Sequence, residues 1–140
     1  MAEMTRMPPI TPYLTVKGAN DAIEFYKKAF GATENARLPA EDGKRLMHAE
    51  ISLNGSIVLL SDEFAEFSKV TWPAAGESAP ISVALHFEKP AALDAAFKRA
   101  VDAGAKSITE PADMFWGGRF AVVGDPFNHH WLMHAPLPPK

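Results

Sequence analysis

The stretch "ITPYLTVKGANDAIEFYKKAFGA", residues 10–32, decides the fold, because it sets two opposite periodicities back to back. Residues 10–16 alternate. Ile10, Leu14 and Val16 share one side with Pro12, while Thr11, Tyr13 and Thr15 share the other, the pattern of a strand with one buried face. The apolar positions then switch to helical spacing. Ala22, Ile23, Tyr26, Ala29 and Phe30 form one stripe, Asn20 or Asp21 is placed to cap the helix, and Gly31 suits the position just past its end.

Working outward, three further strands follow: "TENARLP", then "RLMHAEISL" after the Asp42-Gly43 turn, then "SIVLLSDE" after Asn54-Gly55. In the second, Met47, Ala49, Ile51 and Leu53 alternate with Leu46, His48, Glu50 and Ser52. Residues 64–79 read as a linker of small residues and prolines. The order then returns. "ISVALHF" is a strand with Ile81, Val83, Leu85 and Phe87 on one side and Ser82, Ala84 and His86 on the other. "KPAALDAAFKRAVDAGA" is a helix with Pro90 in its first turn and Leu93, Phe97, Ala100 and Val101 inward; "KSITEP", "RFAVVGD" and "HWLMHA" supply three strands.

Landmarks repeat at near-constant offsets: Val16 with Phe87 at 71 positions, and Gly31 with Gly104 and Gly55 with Asn128 at 73. Such a period is the mark of a duplicated supersecondary unit. The chain is therefore predicted to be α+β, a single domain over residues 8–136 built from two βαβββ modules, 8–63 and 80–136, joined by linker 64–79. Each helix covers one face of its sheet and leaves the other to meet or enclose something.

Composition narrows the function. At 140 residues the chain is long enough to bury a core, and its net charge of −3 offers no basic face for nucleic acid. It contains no cysteine, which removes disulfides, thiolate metal sites and cysteine nucleophiles and suits a reducing cytoplasm. The start "MAEMTRMPPI" lacks the apolar core of a signal peptide, and the longest aliphatic run, "IVLL", is far too short to cross a membrane. A cytoplasmic protein without nucleic-acid or membrane partners is expected. There is no G-x-S-x-G elbow and no G-x-G-x-x-G after a strand, so neither a serine nucleophile nor a nucleotide cofactor is expected.

The densest chemistry is "FWGGRFAVVGDPFNHHW", residues 115–131. Gly117-Gly118 suits a turn or a close approach, and Asn128 tolerates the left-handed region. Trp131 shares the parity of Met133 and belongs in the core. Arg119 beside Trp116 can grip a carboxylate or phosphate, or can pair with Asp113 or Asp125 to pin the loop; the sequence leaves both open. Tyr13, Phe115 and Met114 are further candidate wall residues.

"PYLTV", "AIEFYKKAFGA", "MHAEI" and "FWGGRF…DPFNHHW", arranged in paired βαβββ order, resemble the vicinal oxygen chelate superfamily, the glyoxalase, bleomycin-resistance and dioxygenase group, and within it the PhnB-like branch. The resemblance implies a cup-shaped mixed sheet with helices outside, a small-molecule cavity and a homodimer. It also implies, in the metal-using members, a divalent ion held by His, Gln or Glu from the first and last strands of each module. Carried over by strand register, those positions fall at Thr11, Leu59, Ser82 and Leu132, which are poor ligands. Gly118 stands where relatives often have Asp, and His130 where many have Arg.

The usual metal site, and with it any cofactor, is therefore not expected. His130 and His134 lie roughly 13 Å apart along a regular strand and cannot share an ion. A displaced site for Zn²⁺, Ni²⁺, Mn²⁺ or Fe²⁺, using His48, Glu50 or His86 with His134, is the alternative. Two functions follow. The residues favour a small-molecule-binding protein whose cavity is walled by Trp116, Arg119, Tyr13, His48, His86 and Phe115. The other is a glyoxalase- or dioxygenase-like lyase, isomerase or oxidoreductase with a rearranged ligand set, in which His48 or Glu50 moves a proton. Whether the chain is an enzyme stays open at this level.

Overall fold

The computed structural model describes residues 7–74 and 77–139. In chain order it holds β1 (Tyr13–Val16), α1 (Ala19–Phe30), β2 (Thr33–Pro39), β3 (Leu46–Leu53), β4 (Ser56–Asp62), β5 (Val83–His86), α2 (Pro90–Asp102), β6 (Lys106–Asp113), β7 (Gly118–Gly124) and β8 (His130–Pro136). These form two mixed four-stranded sheets of equivalent order, β1-β4-β3-β2 and β5-β8-β7-β6. In each, the first strand runs parallel to the last and the remaining pairs are antiparallel. This is the duplicated βαβββ unit that the sequence period predicts. The equivalent turns match in backbone as well: Gly55 and Asn128 have φ of 82° and 68°, and Gly31 and Gly104 have φ of 70° and 118°.

One face of each sheet is buried. Leu14, Val16, Ala49, Ile51, Val58 and Leu60 from the first sheet join Ala121, Val123, Trp131 and Met133 from the second in one core that also takes in Ile23, Tyr26 and Leu93 of the helices. The modules thus meet through their helix-bearing sides. Arg99 of α2 donates to the Lys28 carbonyl at 3.0 Å, satisfying an end of α1 that would otherwise lack partners. Phe30 and Tyr26 of α1 lie 4.9 and 5.3 Å from the Trp131 ring, placing large aromatic area where burial stabilises most.

Three expectations need correction. The first strand starts at Tyr13 instead of Ile10, because Pro12 has no N–H to extend the ladder, although its carbonyl still accepts from Leu59 N at 2.9 Å. Ile10 is left 90% exposed. Likewise Ile81 lies outside β5, since Val83 already faces Trp131 at the start of β8 and residue 81 has nothing to pair with.

Second, neither Asn20 nor Asp21 caps α1. The cap position is Gly18, at φ 93°, and the acceptor comes from a distant residue. One carboxylate oxygen of Asp62 takes the N–H groups of Gly18 and Ala19 at 2.8 and 3.0 Å, and the other takes Leu46 N at 2.7 Å. Third, Leu46 faces the core in place of Met47. The β2–β3 register shifts there, between Leu38 and Pro39, as Asp62 draws in the Leu46 amide.

A buried polar cluster ties the two modules together inside the core. Asp125 is buried and accepts from Tyr26 Oη at 2.6 Å, Trp131 Nε1 at 2.9 Å, Phe127 N at 2.8 Å and His129 N at 2.9 Å. His129, also buried, donates Nε2–H to the Thr15 carbonyl at 2.8 Å. Burial first, and the Asp125 charge second, hold the Tyr26 phenol well above its ordinary pKa, so it remains a donor. Among the described residues no helix is long and apolar enough to cross a membrane.

Candidate functional site

Because strand side chains alternate, the face away from the helices collects what the core rejects. In the first module this face carries Tyr13, His48, Glu50, Ser52 and Leu59, with Leu59 the register partner of both Tyr13 and Glu50. Tyr13 Oη and His48 Nδ1 are 3.1 Å apart, and their rings meet at 5.7 Å. Asn35 donates to Glu50 Oε2 at 2.8 Å and to Ser52 Oγ at 2.9 Å. It reaches them because a β-bulge in β2, between Glu34 and Ala36, sets it out of the ladder. Glu50 is a buried carboxylate on an otherwise accessible face, 5% exposed.

In the second module the same face carries Ala84, His86, Phe120, Leu132 and His134. His86 and His134 are register partners on parallel neighbouring strands, and their Nδ1 atoms stand 3.3 Å apart. Trp116 stacks on His134 at 5.4 Å and meets Phe120 edge-on at 6.3 Å. The tight turn that brings it there has Gly117 at φ 93° and is closed by Met114 N donating to the Gly118 carbonyl at 2.8 Å. Gly118 is needed for space: a Cβ there would stand 2.9 Å from Trp116 Cη2 and 2.7 Å from His134 Nε2.

Of the six wall candidates, the structure brings Tyr13 against His48, while Trp116 and His86 each meet His134 and not one another. No hydrogen bond or ring contact among the described residues joins one group to the other. Phe115, at the tip of the turn, is 98% exposed and touches neither cluster closely. Arg119 has the parity of Ala121 and Val123, so it leaves β7 on the helix side. There it donates to Asp94 of α2 at 2.7 Å and to Asp113 at 2.8 Å, and both carboxylates raise its pKa. The pairing with Asp113 that the sequence offers is thus formed. Asp94 is an unforeseen second partner, and Asp125 is engaged elsewhere.

A feature not visible in the sequence lies at the end of the first sheet. Leu38, Met47, Phe64 and Phe67 line a cavity of about 720 Å³ rimmed by Asp42, Arg45 and Glu66. Leu38 is the register partner of His48, so the cavity adjoins the Tyr13–His48 pair. The "FAEF" at residues 64–67 looks like linker in sequence; a tight turn, with Phe67 N donating to the Phe64 carbonyl at 3.0 Å, folds its two rings together at 6.0 Å. Arg45 lies over the Phe64 ring at 4.3 Å while holding Asp42 and Glu66 at 2.8 Å each.

Residues 6–133 match the family model of the glyoxalase/bleomycin resistance protein/dioxygenase superfamily. The chain belongs to that superfamily. The uncharacterized protein Mb0911c of Mycobacterium bovis is 40% identical over 132 residues, covering 93% of this chain and 84% of its own. The PhnB protein of Bacillus cereus shares the fold at 18% identity with a TM-score of 0.69, over 91% of this chain and 98% of the other. So does the fosfomycin resistance protein FosX of Listeria monocytogenes, solved with Mn(II) and sulfate, at 17% identity and a TM-score of 0.67 over 94% and 93%.

The superfamily's ion tests poorly against the positions that register assigns it. Leu59 and Leu132 have no lone pair to offer, Thr11 spends its hydroxyl on the Pro8 carbonyl at 3.4 Å, and Ser82 precedes β5. Those four residues do not fit a divalent ion.

Proposed function

We propose that this superfamily member is a small-molecule-binding protein of the cytoplasm that works as a homodimer without the superfamily's usual metal site. One observation carries the reading. Each module turns an aromatic–imidazole pair outward on its free sheet face, Tyr13 with His48 and Trp116 with His134, and the two pairs do not meet within the chain. A second copy supplies the missing half: the first-module face of one chain closes over the second-module face of the other.

The cup so formed suits a flat, partly aromatic ligand. Trp116 and Phe120 offer stacking surface, His48 and Tyr13 offer hydrogen bonds that fix orientation, and Glu50 with Asn35 sets the polar floor. The apolar cavity at Leu38, Met47 and Phe64 extends the same face and lies within the usual volume range of ligand sites. Its proximity to the dyad supports binding in the first module as well.

A screen of flat aromatic acids, amides and phenols, read by thermal shift and tryptophan fluorescence, tests the reading. Ligands that raise the melting temperature should lose most of that effect in both Trp116→Ala and His48→Ala. Ligands that act equally on the wild type and both variants would contradict it.

A second reading, a lyase, isomerase or oxidoreductase with a rearranged ligand set, is favoured by a single distance, the 3.3 Å between His86 and His134.

A further inference from the structure

We propose that His86 and His134 form a bis-imidazole site for a divalent ion of the zinc class, displaced along the strands from the superfamily's ligand positions. The assignment rests on the second sheet alone and does not need the dimeric cup. The two Nδ1 atoms face each other at 3.3 Å. Two imidazole nitrogens on a tetrahedral ion at metal–nitrogen distances of about 2.0–2.1 Å stand about 3.3 Å apart, so the spacing already matches one edge of such a site. Without an ion the same spacing supports one hydrogen bond with a single proton between the rings. A divalent ion takes the place of that proton, which is released to solvent, once each ring turns its Nδ1 lone pair off the line between the nitrogens and toward the ion.

The supports are rigid. His86 and His134 are register partners in the β5–β8 ladder, and Phe87 N donates to the His134 carbonyl at 2.8 Å. Asn54 holds the His86 carbonyl from the first module at 2.9 Å. Trp116 stacks on the His134 ring and fixes its plane. Gly118 gives the His134 Nε2 edge its room. This pre-arrangement lowers the ordering cost of ligation. His134 lies two residues beyond Leu132 on the same face of β8, roughly 7 Å deeper along the strand, which separates this site from the register-assigned one. Two protein nitrogens leave the remaining coordination positions to water or a small-molecule oxygen donor.

The test uses full-length, tag-free protein stripped of metal and titrated with Co²⁺ and Zn²⁺ alone. The expected result is one ion per chain, with the intense visible bands of tetrahedral Co²⁺ and quenching of Trp116 emission. His86→Ala and His134→Ala should each weaken binding by more than about tenfold, since a direct ligand is worth more than an outer-shell partner, while His130→Ala leaves it unchanged. His86→Gln, which keeps a polar side chain of similar reach, should lose binding as His86→Ala does, and circular dichroism checks that each variant is folded. Binding that survives both His86 variants, follows His48 or His130 instead, or gives only the weak bands of octahedral Co²⁺ overturns the proposal.

Discussion

Trp116 lies on Gly118 so closely that the glycine cannot carry a side chain: a Cβ would meet the indole edge and, at 2.7 Å, His134 Nε2. Its φ is not in the left-handed region, so space and not backbone conformation demands glycine here. Gly118→Ala should push the indole off His134. Because Trp116 is half-exposed and can swing into solvent, the cost should be about 1 kcal/mol, at the low end for overpacking. Tryptophan emission should shift to the red with little change in the far-ultraviolet circular dichroism. An unshifted spectrum would show that the indole does not rest on the sheet.

Asp125 ties α1 to β8. Asp125→Ala leaves the Tyr26 hydroxyl, the Trp131 N–H and two amides without their acceptor inside the core. Each such orphan costs about 1–3 kcal/mol, so urea unfolding should show a loss of at least about 3 kcal/mol. Tyr26→Phe removes one donor and keeps the acceptor's other partners, and should cost about 1–3 kcal/mol. Equal effects of the two variants would mean that the carboxylate acts through the tyrosine alone.

Arg45 gives a pH-dependent contribution. Its hydrogen bonds to Glu66, the largest cause, lower that carboxyl to about 2 in the folded protein. The unfolded value is about 4.3, so the folded state is favoured above that pH and the advantage fades as pH falls through about 2. The stability difference between wild type and Arg45→Ala should be constant near neutral pH and shrink through this acid window. It should also shrink with salt, since the pair is exposed. In Arg45→Ala the Glu66 carboxyl, followed by carbon-13 NMR, should titrate near its ordinary value.

Arg119 separates wall from scaffold. Because its guanidinium is already shared by Asp94 and Asp113, Arg119→Ala should cost up to about 1 kcal/mol and leave ligand affinity unchanged. Trp116→Ala should behave in the opposite way. A large loss of affinity in Arg119→Ala with unchanged stability would restore the anion-gripping role.

The duplicated modules were legible because strand and helix periodicities switch cleanly at Val16–Ala19 and again after Phe87, and because glycine or asparagine marks the equivalent turns. The parity of "HWLMHA" placed Trp131 inward and His134 outward correctly. What was not legible depends on contacts across the chain. Asp62 caps a helix 43 residues earlier, and Asp125 bonds a tyrosine 99 residues away. Local capping preferences pointed to Asn20 and Asp21 because they see only neighbours. Arg119 was ambiguous for the same reason: its parity set its side of β7, but Asp94 on α2 became a neighbour only through folding. His86 and His134 lie 48 positions apart, and only the parallel β5–β8 register makes them a pair.

The proposed dimer brings the two outward faces together across two chains. The cysteine-free sequence allows a direct test with single cysteines at His48 and His134 in separate, co-expressed chains, joined by a short bismaleimide. A covalent dimer that needs both variants is the expected result. A chain that sediments as a monomer, or a doubly substituted chain that links within itself at low concentration without forming dimers, would contradict it.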